Sequence, residues 1–328
     1  MNKLSDHLLD KSIKSIFMQL KHEPIGKGKQ RLKCSICHYR VDPNNESAFA
    51  TFPCNLRAFI DEKFKVWRCP VCQTIHCLDV VDLDRYYAKY PHLQSELTWV
   101  YRFVYSNICQ QLTKHGFDKV HSLLDYGCGA NALLVQYLQE RGFANSYGYD
   151  PYGSKDGIGD PTILDRQPFD YISLQDVIEH VEDPHALLGK LNSLLSPGGY
   201  ILIGTPDAAN IDLNRPDLPD HYNFVHVPCH LHIYTRETLE SLGLSQGWKP
   251  VDFFDRAYDD TPWFGFNVRT WNAYTSLLDG SVDSVFEPLK LGKALTSPKF
   301  LFYATFGYWL SFRSRMSIVF RKNIPSPS

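Results

Sequence analysis

Hydrophobic positions change period several times along the chain, and each change marks a different kind of element. Leu4, Leu8, Leu9, Ile13, Ile16, Phe17 and Leu20 recur at helical spacing between lysines, which predicts an amphipathic helix over residues 4–21, closed by Pro24 and Gly26. From Arg31 to Val81 the pattern turns irregular, with paired cysteines and a Pro-Asn-Asn turn, and predicts short strands instead of a helix. Helical spacing returns over 83–115 with an aromatic stripe (Tyr86, Tyr87, Tyr90, Trp99, Tyr101, Phe103, Tyr105) that reads as core packing or, in the sharper alternative, as a lid over a site. Beyond it, short apolar runs at 122–126, 146–149, 171–174 and 200–204 alternate with helical stretches at 131–141 and 184–195. Strands alternating with helices predict an α/β fold with a parallel sheet. Residues 207–290, rich in Asp, Pro, His and aromatics, predict a substrate-facing insertion with one clear helix at 235–242, and 317–320 read as a last strand. The apolar segment 300–310 predicts a helix buried beneath that strand, the alternatives being the wall of an acceptor site or a contact with a membrane.

The boundaries that follow are a helix and linker (1–30), a cysteine-bearing module (31–82), a helical lid or linker (83–120) and a main domain (121–322) with an insertion at about 207–300. A chain of 328 residues, 44% of them hydrophobic, has room for one sizeable core and a smaller second unit. Its net charge of -2 gives no overall reason to expect a nucleic acid partner. Residues 1–40 are nevertheless locally basic, which fits a solvated face.

The first apolar run of the main domain enters Asp125-Tyr126-Gly127-Cys128-Gly129-Ala130-Asn131-Ala132 and then a helix. Glycines let the backbone turn sharply and approach a ligand closely. The same spacing fits a dinucleotide fingerprint with Ala132 in its third place. Asp125 separates the readings: a carboxylate beside the turn repels a pyrophosphate and favours a ligand carrying an ammonium and a sulfonium, as S-adenosylmethionine does. About 25 residues on, Asp150-Pro151 closes the second run, where a carboxylate can accept from both ribose hydroxyls.

Three stretches taken together, 124–129, 169–184 (Phe-Asp-Tyr-Ile-Ser-Leu-Gln-Asp-Val-Ile-Glu-His-Val-Glu-Asp-Pro) and 195–204, resemble class I S-adenosylmethionine-dependent methyltransferases over about 122–206. The resemblance implies a Rossmann-like, doubly wound, seven-stranded sheet, with the cofactor across the carboxyl ends of the first, second and fourth strands. The cofactor-binding set is then Asp125, Tyr126, Gly127, Gly129, Asp150, Pro151, Gln175 and Asp176. One departure is visible: only about 19 residues separate Asp150 from Asp170, where the family usually fits a helix and a strand.

Nine cysteines, four of them in the pairs Cys34-x-x-Cys37 and Cys69-x-x-Cys72, fit a reducing, cytoplasmic setting and a structural zinc ion with four thiolate ligands. Some methyltransferases of this class carry a similar N-terminal zinc ribbon. For the acceptor side, Asp176, Glu179 and His180 follow the fourth strand, and 221–232 holds a histidine cluster in which alternation places His230 and His232 on one face. The cluster reads as packing, as a general base or as a second metal site, with His226 or His230 preferred as base and His180 as a further candidate, because imidazole titrates near neutral pH. The expected activity is methyl transfer to a small-molecule acceptor, a sugar or glycan precursor first. A zinc-ribbon adaptor without turnover and an RNA methyltransferase are the alternatives. No feature specifies an oligomeric state.

Overall fold

The computed structural model describes residues 29–91, 96–151, 160–215, 224–256, 258–311 and 313–324; the helix expected over 4–21 lies outside them. The cysteine module contributes β1 (Phe49–Pro53), β2 (Lys63–Arg68) and β3 (Ile75–Cys77), joined antiparallel in that order. The stretch expected as one helical block divides into α1 (Leu83–Tyr87), capped by Asp82, and α2 (Trp99–Lys114), capped by Thr98. Pro91 lies between the two and disfavours helix at Tyr90 before it.

The main sheet follows: β4 (Leu123–Tyr126), α3 (Leu133–Glu140), β5 (Ser146–Tyr149), β6 (Phe169–Gln175), α4 (Pro184–Leu194) and β7 (Leu195–Pro206). Next come β8 (His232–Ile233), α5 (Arg236–Ser245), β9 (Trp248–Phe254), α6 (Val268–Ser276), α7 (Asp283–Phe286), α8 (Leu291–Leu295), α9 (Pro298–Leu310) and β10 (Arg315–Lys322). The strand order is β5-β4-β6-β7-β10-β9, parallel from β5 to β7, with β10 antiparallel to both neighbours. The sheet thus has six strands among the described residues where seven were expected. The chain between β5 and β6 is too short for the usual extra helix and strand, and its described part holds a 3-10 helix, Pro161–Arg166, so β5 is the edge.

Period-two alternation sorts the sheet residues into two layers. Leu124, Ile172, Leu174, Ile201, Ile203, Ile318 and Phe320 pack with Leu187, Leu188 and Leu191 of α4 and Leu239 and Leu242 of α5. Leu123, Tyr171, Leu202 and Val319 face the other way, toward Ile108 and Leu112 of α2 and Leu134 and Leu138 of α3. Both faces are covered, which makes the fold doubly wound.

The stretch 207–300 is not one insertion. It supplies β9 to the edge of the main sheet and β8 to the module, where Ile233 pairs with Ile75 and His232 with His76. The module's Phe52, Leu56, Phe64 and Val66 share one core with Phe224, Val225, Val227 and Ile233. Segment 300–310 forms a helix as expected, but it packs beside α6 and α8, burying Phe300, Ala304 and Gly307 and leaving Phe302, Phe306 and Trp309 exposed. No helix of the described residues is long and apolar enough to cross a membrane.

Candidate functional site

The chain leaves β4, crosses out to β5 and returns past β4 to β6, so the switch point of the sheet lies at the carboxyl ends of β4 and β6. The glycine turn stands there. Gly127 and Gly129 have φ of +79° and +69°, and a β-carbon on Gly127 would sit 2.3 Å from a methyl of Val177. Only glycine fits both the conformation and the space. Gly127 N–H donates to the Tyr149 carbonyl at 2.7 Å, and Gly129 N–H donates to Asp150 Oδ2 at 2.9 Å, which ties the turn to the end of β5.

Asp125 is buried, and burial raises its pKa to about 7, with Ser173 opposing and the charge of Asp150 reinforcing the shift. A cationic ligand would suit such a group, since it returns the attraction that burial removed. The residues at the turn therefore fit S-adenosylmethionine in sign and in space. Other members of the expected set stand differently. The Tyr126 ring belongs to the core, 5.3 Å from the Tyr149 ring, so its main chain is the part that borders the turn. Pro151 is exposed just past Asp150. The Gln175 amide donates to the Leu202 carbonyl of β7 at 3.2 Å, and a β-carbon on Gly204 would strike its Oε1. Asp176 adopts a left-handed φ of +51° and receives Tyr258 Oη–H at 2.9 Å, with Arg315 Nη1 at 3.8 Å. A strained non-glycine residue at a strand end is a common mark of a functional position.

Four residues past Asp176 the histidines assemble. His180, His226 and His230 form a T-shaped group with centroid separations of 4.7 Å (180 to 230), 4.9 Å (226 to 230) and 6.4 Å (180 to 226). Glu179 is fully buried beneath them and accepts from Thr205 Oγ1 at 3.0 Å. His226 donates from Nδ1 to Asn55 Oδ1 of the module at 2.5 Å and accepts Tyr90 Oη–H at Nε2, 3.0 Å. Burial drives His226 down to about 3 and His230 well below the ordinary histidine range, and raises Glu179 to about 8. The premise for choosing His226 or His230 as a base, titration near neutral pH, is thus not met: a fully buried imidazolium has no water to solvate it. His180 lies in the same group, its Nδ1 3.0 Å from both Tyr87 Oη and the Cys229 carbonyl.

His230 and His232 do not share a face. β8 begins only at His232, with a turn at 227–229 and no regular structure at 230–231, so the strand period does not reach His230. His232 turns instead to His76, Nδ1 to Nδ1 at 2.9 Å, and His76 Nε2 lies 3.2 Å from Cys34 Sγ. Sequence reading missed Asn55, Tyr87, Tyr90, Thr205, Tyr258 and Arg315. Tyr87 and Tyr90 carried a signal, since they stand three apart inside the aromatic stripe.

The four cysteines come together as the spacing required. Cys34 to Cys72 is 3.5 Å and Cys37 to Cys69 is 3.4 Å between sulfurs, and all four lie within 4.8 Å of one another. A tetrahedron of thiolates about 2.3 Å from zinc has edges of roughly 3.8 Å. The N–H groups of Ile36 and Cys37 point to Cys34 Sγ at 3.4 and 3.5 Å, the outer contacts a thiolate needs. The residues fit a closed four-sulfur site. Arg31 anchors this module to the histidine side, its Nη2 2.5 Å from Glu182 Oε1 and its Nη1 donating to the Cys77 carbonyl at 2.6 Å.

A family model described as a methyltransferase domain matches residues 99–252. No curated protein is similar enough in sequence to stand as a relative. Among solved structures, a chain of the complex between the Haloferax volcanii Trm112 methyltransferase activator and a methyltransferase is 14% identical, with a TM-score of 0.43, over 75% of this chain and 98% of that one. A SAM-dependent methyltransferase from Archaeoglobus fulgidus is 16% identical, with a TM-score of 0.38, over 66% and 93%. The magnesium protoporphyrin IX methyltransferase of Synechocystis PCC 6803, solved with bound SAH, is 11% identical, with a TM-score of 0.37, over 68% and 84%.

Proposed function

We propose that the chain is a SAM-dependent methyltransferase that transfers the methyl group to a small-molecule acceptor held against the histidine group, a sugar or glycan precursor first among the classes; the match of residues 99–252 to a methyltransferase-domain model supports the reading. S-adenosylmethionine supplies a carbon already activated by its sulfonium, so the protein's task is placement and the exclusion of water. One observation carries the reading: the glycine turn that follows Asp125 meets Val177 just past the end of β6, and the buried Glu179 and His230 with the half-buried His180 gather two residues further on. In this reading Asp125 and Asp150 hold the cofactor. His180 and His230 face the acceptor, and Asn55 and Tyr90 keep His226 in position behind them. The cysteine centre holds zinc as a structural ion, since four thiolates leave no open position for chemistry.

Calorimetric titration with S-adenosylmethionine and with its demethylated product tests the donor half. Mass spectrometry of acceptor panels incubated with deuterated donor tests the acceptor half. Binding without a mass gain in any hydroxylated metabolite would favour a non-catalytic adaptor, and no binding would remove the reading altogether.

A second observation bears on how the acceptor arrives. Phe302, Phe306 and Trp309 are 50%, 50% and 65% exposed on α9, whose first turn carries the exposed Lys299. Exposed aromatics on a helix that also carries a cation suit the interface of an anionic bilayer. We therefore propose a peripheral membrane contact through this face. Phe306→Ser with Trp309→Ser should abolish co-sedimentation with phosphatidylserine vesicles, and failure of the unaltered protein to sediment removes the proposal.

A further inference from the structure

Glu179, His180 and His230 offer ligand atoms that all lie within 4.8 Å of one another. Glu179 is wholly buried and uses one oxygen, Oε2, to accept from Thr205, while Oε1 has no hydrogen-bond partner. A buried carboxylate oxygen left without a partner is costly, and such an atom asks for a reason.

The two imidazoles show what faces that oxygen. His230 Nδ1 is 2.8 Å from the Phe224 carbonyl. A carbonyl only accepts, so the proton sits on Nδ1 and the Nε2 lone pair is turned to Glu179 Oε1, 4.0 Å away. His180 Nδ1 is 3.0 Å from both the Cys229 carbonyl and Tyr87 Oη; the carbonyl only accepts, so the proton sits on Nδ1, with the phenol oxygen beside it, and the lone pair is on Nε2. At 4.0 Å, Nε2 of His230 is too far from Oε1 for a hydrogen bond and well placed for a shared ion. Each group is also oriented from behind, the imidazoles by backbone carbonyls and the carboxylate by a hydroxyl, which is the usual outer shell of a metal site. The segments themselves are tied together, since Leu231 N–H donates to the Glu179 carbonyl at 2.8 Å.

We propose that Glu179, His180 and His230 bind a first-row divalent cation, separate from the four-cysteine centre, that holds and activates a hydroxyl oxygen of the acceptor. This rests on the methyltransferase reading above and narrows it to O-methylation. Two imidazoles and one carboxylate suit zinc, manganese, iron, cobalt or nickel better than the all-oxygen preference of magnesium or calcium. Three protein ligands leave positions open, where a bound hydroxyl becomes a better acid. The acceptor oxygen then loses its proton to water and forms a bond to the methyl carbon, while the carbon–sulfur bond breaks and its electron pair stays on sulfur. A substrate with two adjacent hydroxyls would fill two open positions at once.

Manganese is the probe, because a hard ion discriminates against the thiolate centre. The full chain, zinc-loaded at the cysteines, is titrated with Mn²⁺ and the free ion is read by electron paramagnetic resonance, with a parallel calorimetric titration of S-adenosylmethionine. One saturable Mn²⁺ per chain is expected, weakened at least tenfold by His230→Ala and by Glu179→Gln, with donor affinity kept. Thr205→Val, which removes only the outer hydroxyl, should weaken Mn²⁺ by about tenfold, and it decides the matter if the other variants do not fold. No saturable Mn²⁺ in a protein that binds the donor overturns the metal site alone, as does Mn²⁺ affinity unmoved by all three variants. A protein that takes Mn²⁺ but not the donor overturns the methyltransferase reading and leaves the site standing.

Discussion

The glycine turn and the histidine group lie at the same end of the sheet and are built in opposite ways. The turn is local and made of backbone: its conformation comes from Gly127 and Gly129, and its partners are the ends of β5 and β6. The histidine group is assembled from distant side chains, with Asn55 from the module, Tyr87 and Tyr90 from α1 and the turn after it, Glu179 and His180 after β6, Thr205 at the end of β7, and 224–230. A site of the first kind depends on few neighbours. One of the second kind is only as ordered as every segment that feeds it, and here one feeder is a module folded around four sulfurs.

The comparison breaks most sharply at the cysteines. Zinc contributes roughly 10–16 kcal/mol of binding free energy to small folds that need it, so with zinc at the four cysteines, as proposed, this is the largest effect expected. Cys69→Ser with Cys72→Ser should therefore unfold the module and, through β8 and the shared core, release 224–233. Hydrogen exchange should show amides of 224–233 losing protection while those of 123–129 keep it, and donor affinity should change less than about threefold. Equal loss on both sides would mean that the two sites are one cooperative unit.

Gly127→Ala should do the reverse. Its β-carbon meets Val177 at 2.3 Å, in a φ region that costs a side chain about 1–3 kcal/mol. Donor affinity should fall about a hundredfold, near 3 kcal/mol, with protection of 224–233 unchanged. Calorimetry and exchange on one sample check both halves.

The same contrast explains what the sequence made legible. The α/β class, the strands of the parallel half, the glycine turn and the four cysteines could be read because each is written in neighbouring residues: a buried run such as 169–175, a glycine where φ is positive, a C-x-x-C knuckle. What failed was long-range or depended on where a period stops. Alternation through 230–232 predicts one face for both histidines, but the strand starts at His232, so the two side chains diverge, one to Glu179 and one to His76. Asn55 lies 171 residues from His226 in the chain, and no local pattern links them. Among the described residues the sheet is one strand short of the family expectation, and the brevity of the chain between Asp150 and Asp170 is written in the sequence.

The smallest effect sharpens the donor side by its proton. Burial lifts Asp125 to about 7 in the ligand-free chain, above the ordinary range near 4. The folded chain thus keeps a proton that the unfolded chain releases, and the stability this group contributes below pH 4 is lost as pH rises toward 7. A cationic donor reverses the preference by binding the carboxylate form, so donor affinity should rise with pH, by up to about tenfold per unit below 7, and level off above it. Asp125→Asn, which mimics the protonated form, should match the unaltered protein near pH 5.5 and fall behind it at pH 8. Titration in buffers of different ionisation enthalpy counts the proton directly: close to one released per donor bound at pH 6 for the unaltered chain, and close to none for the variant. A proton count that persists in Asp125→Asn would assign the titration to another group and leave Asp125 a structural carboxyl under the turn.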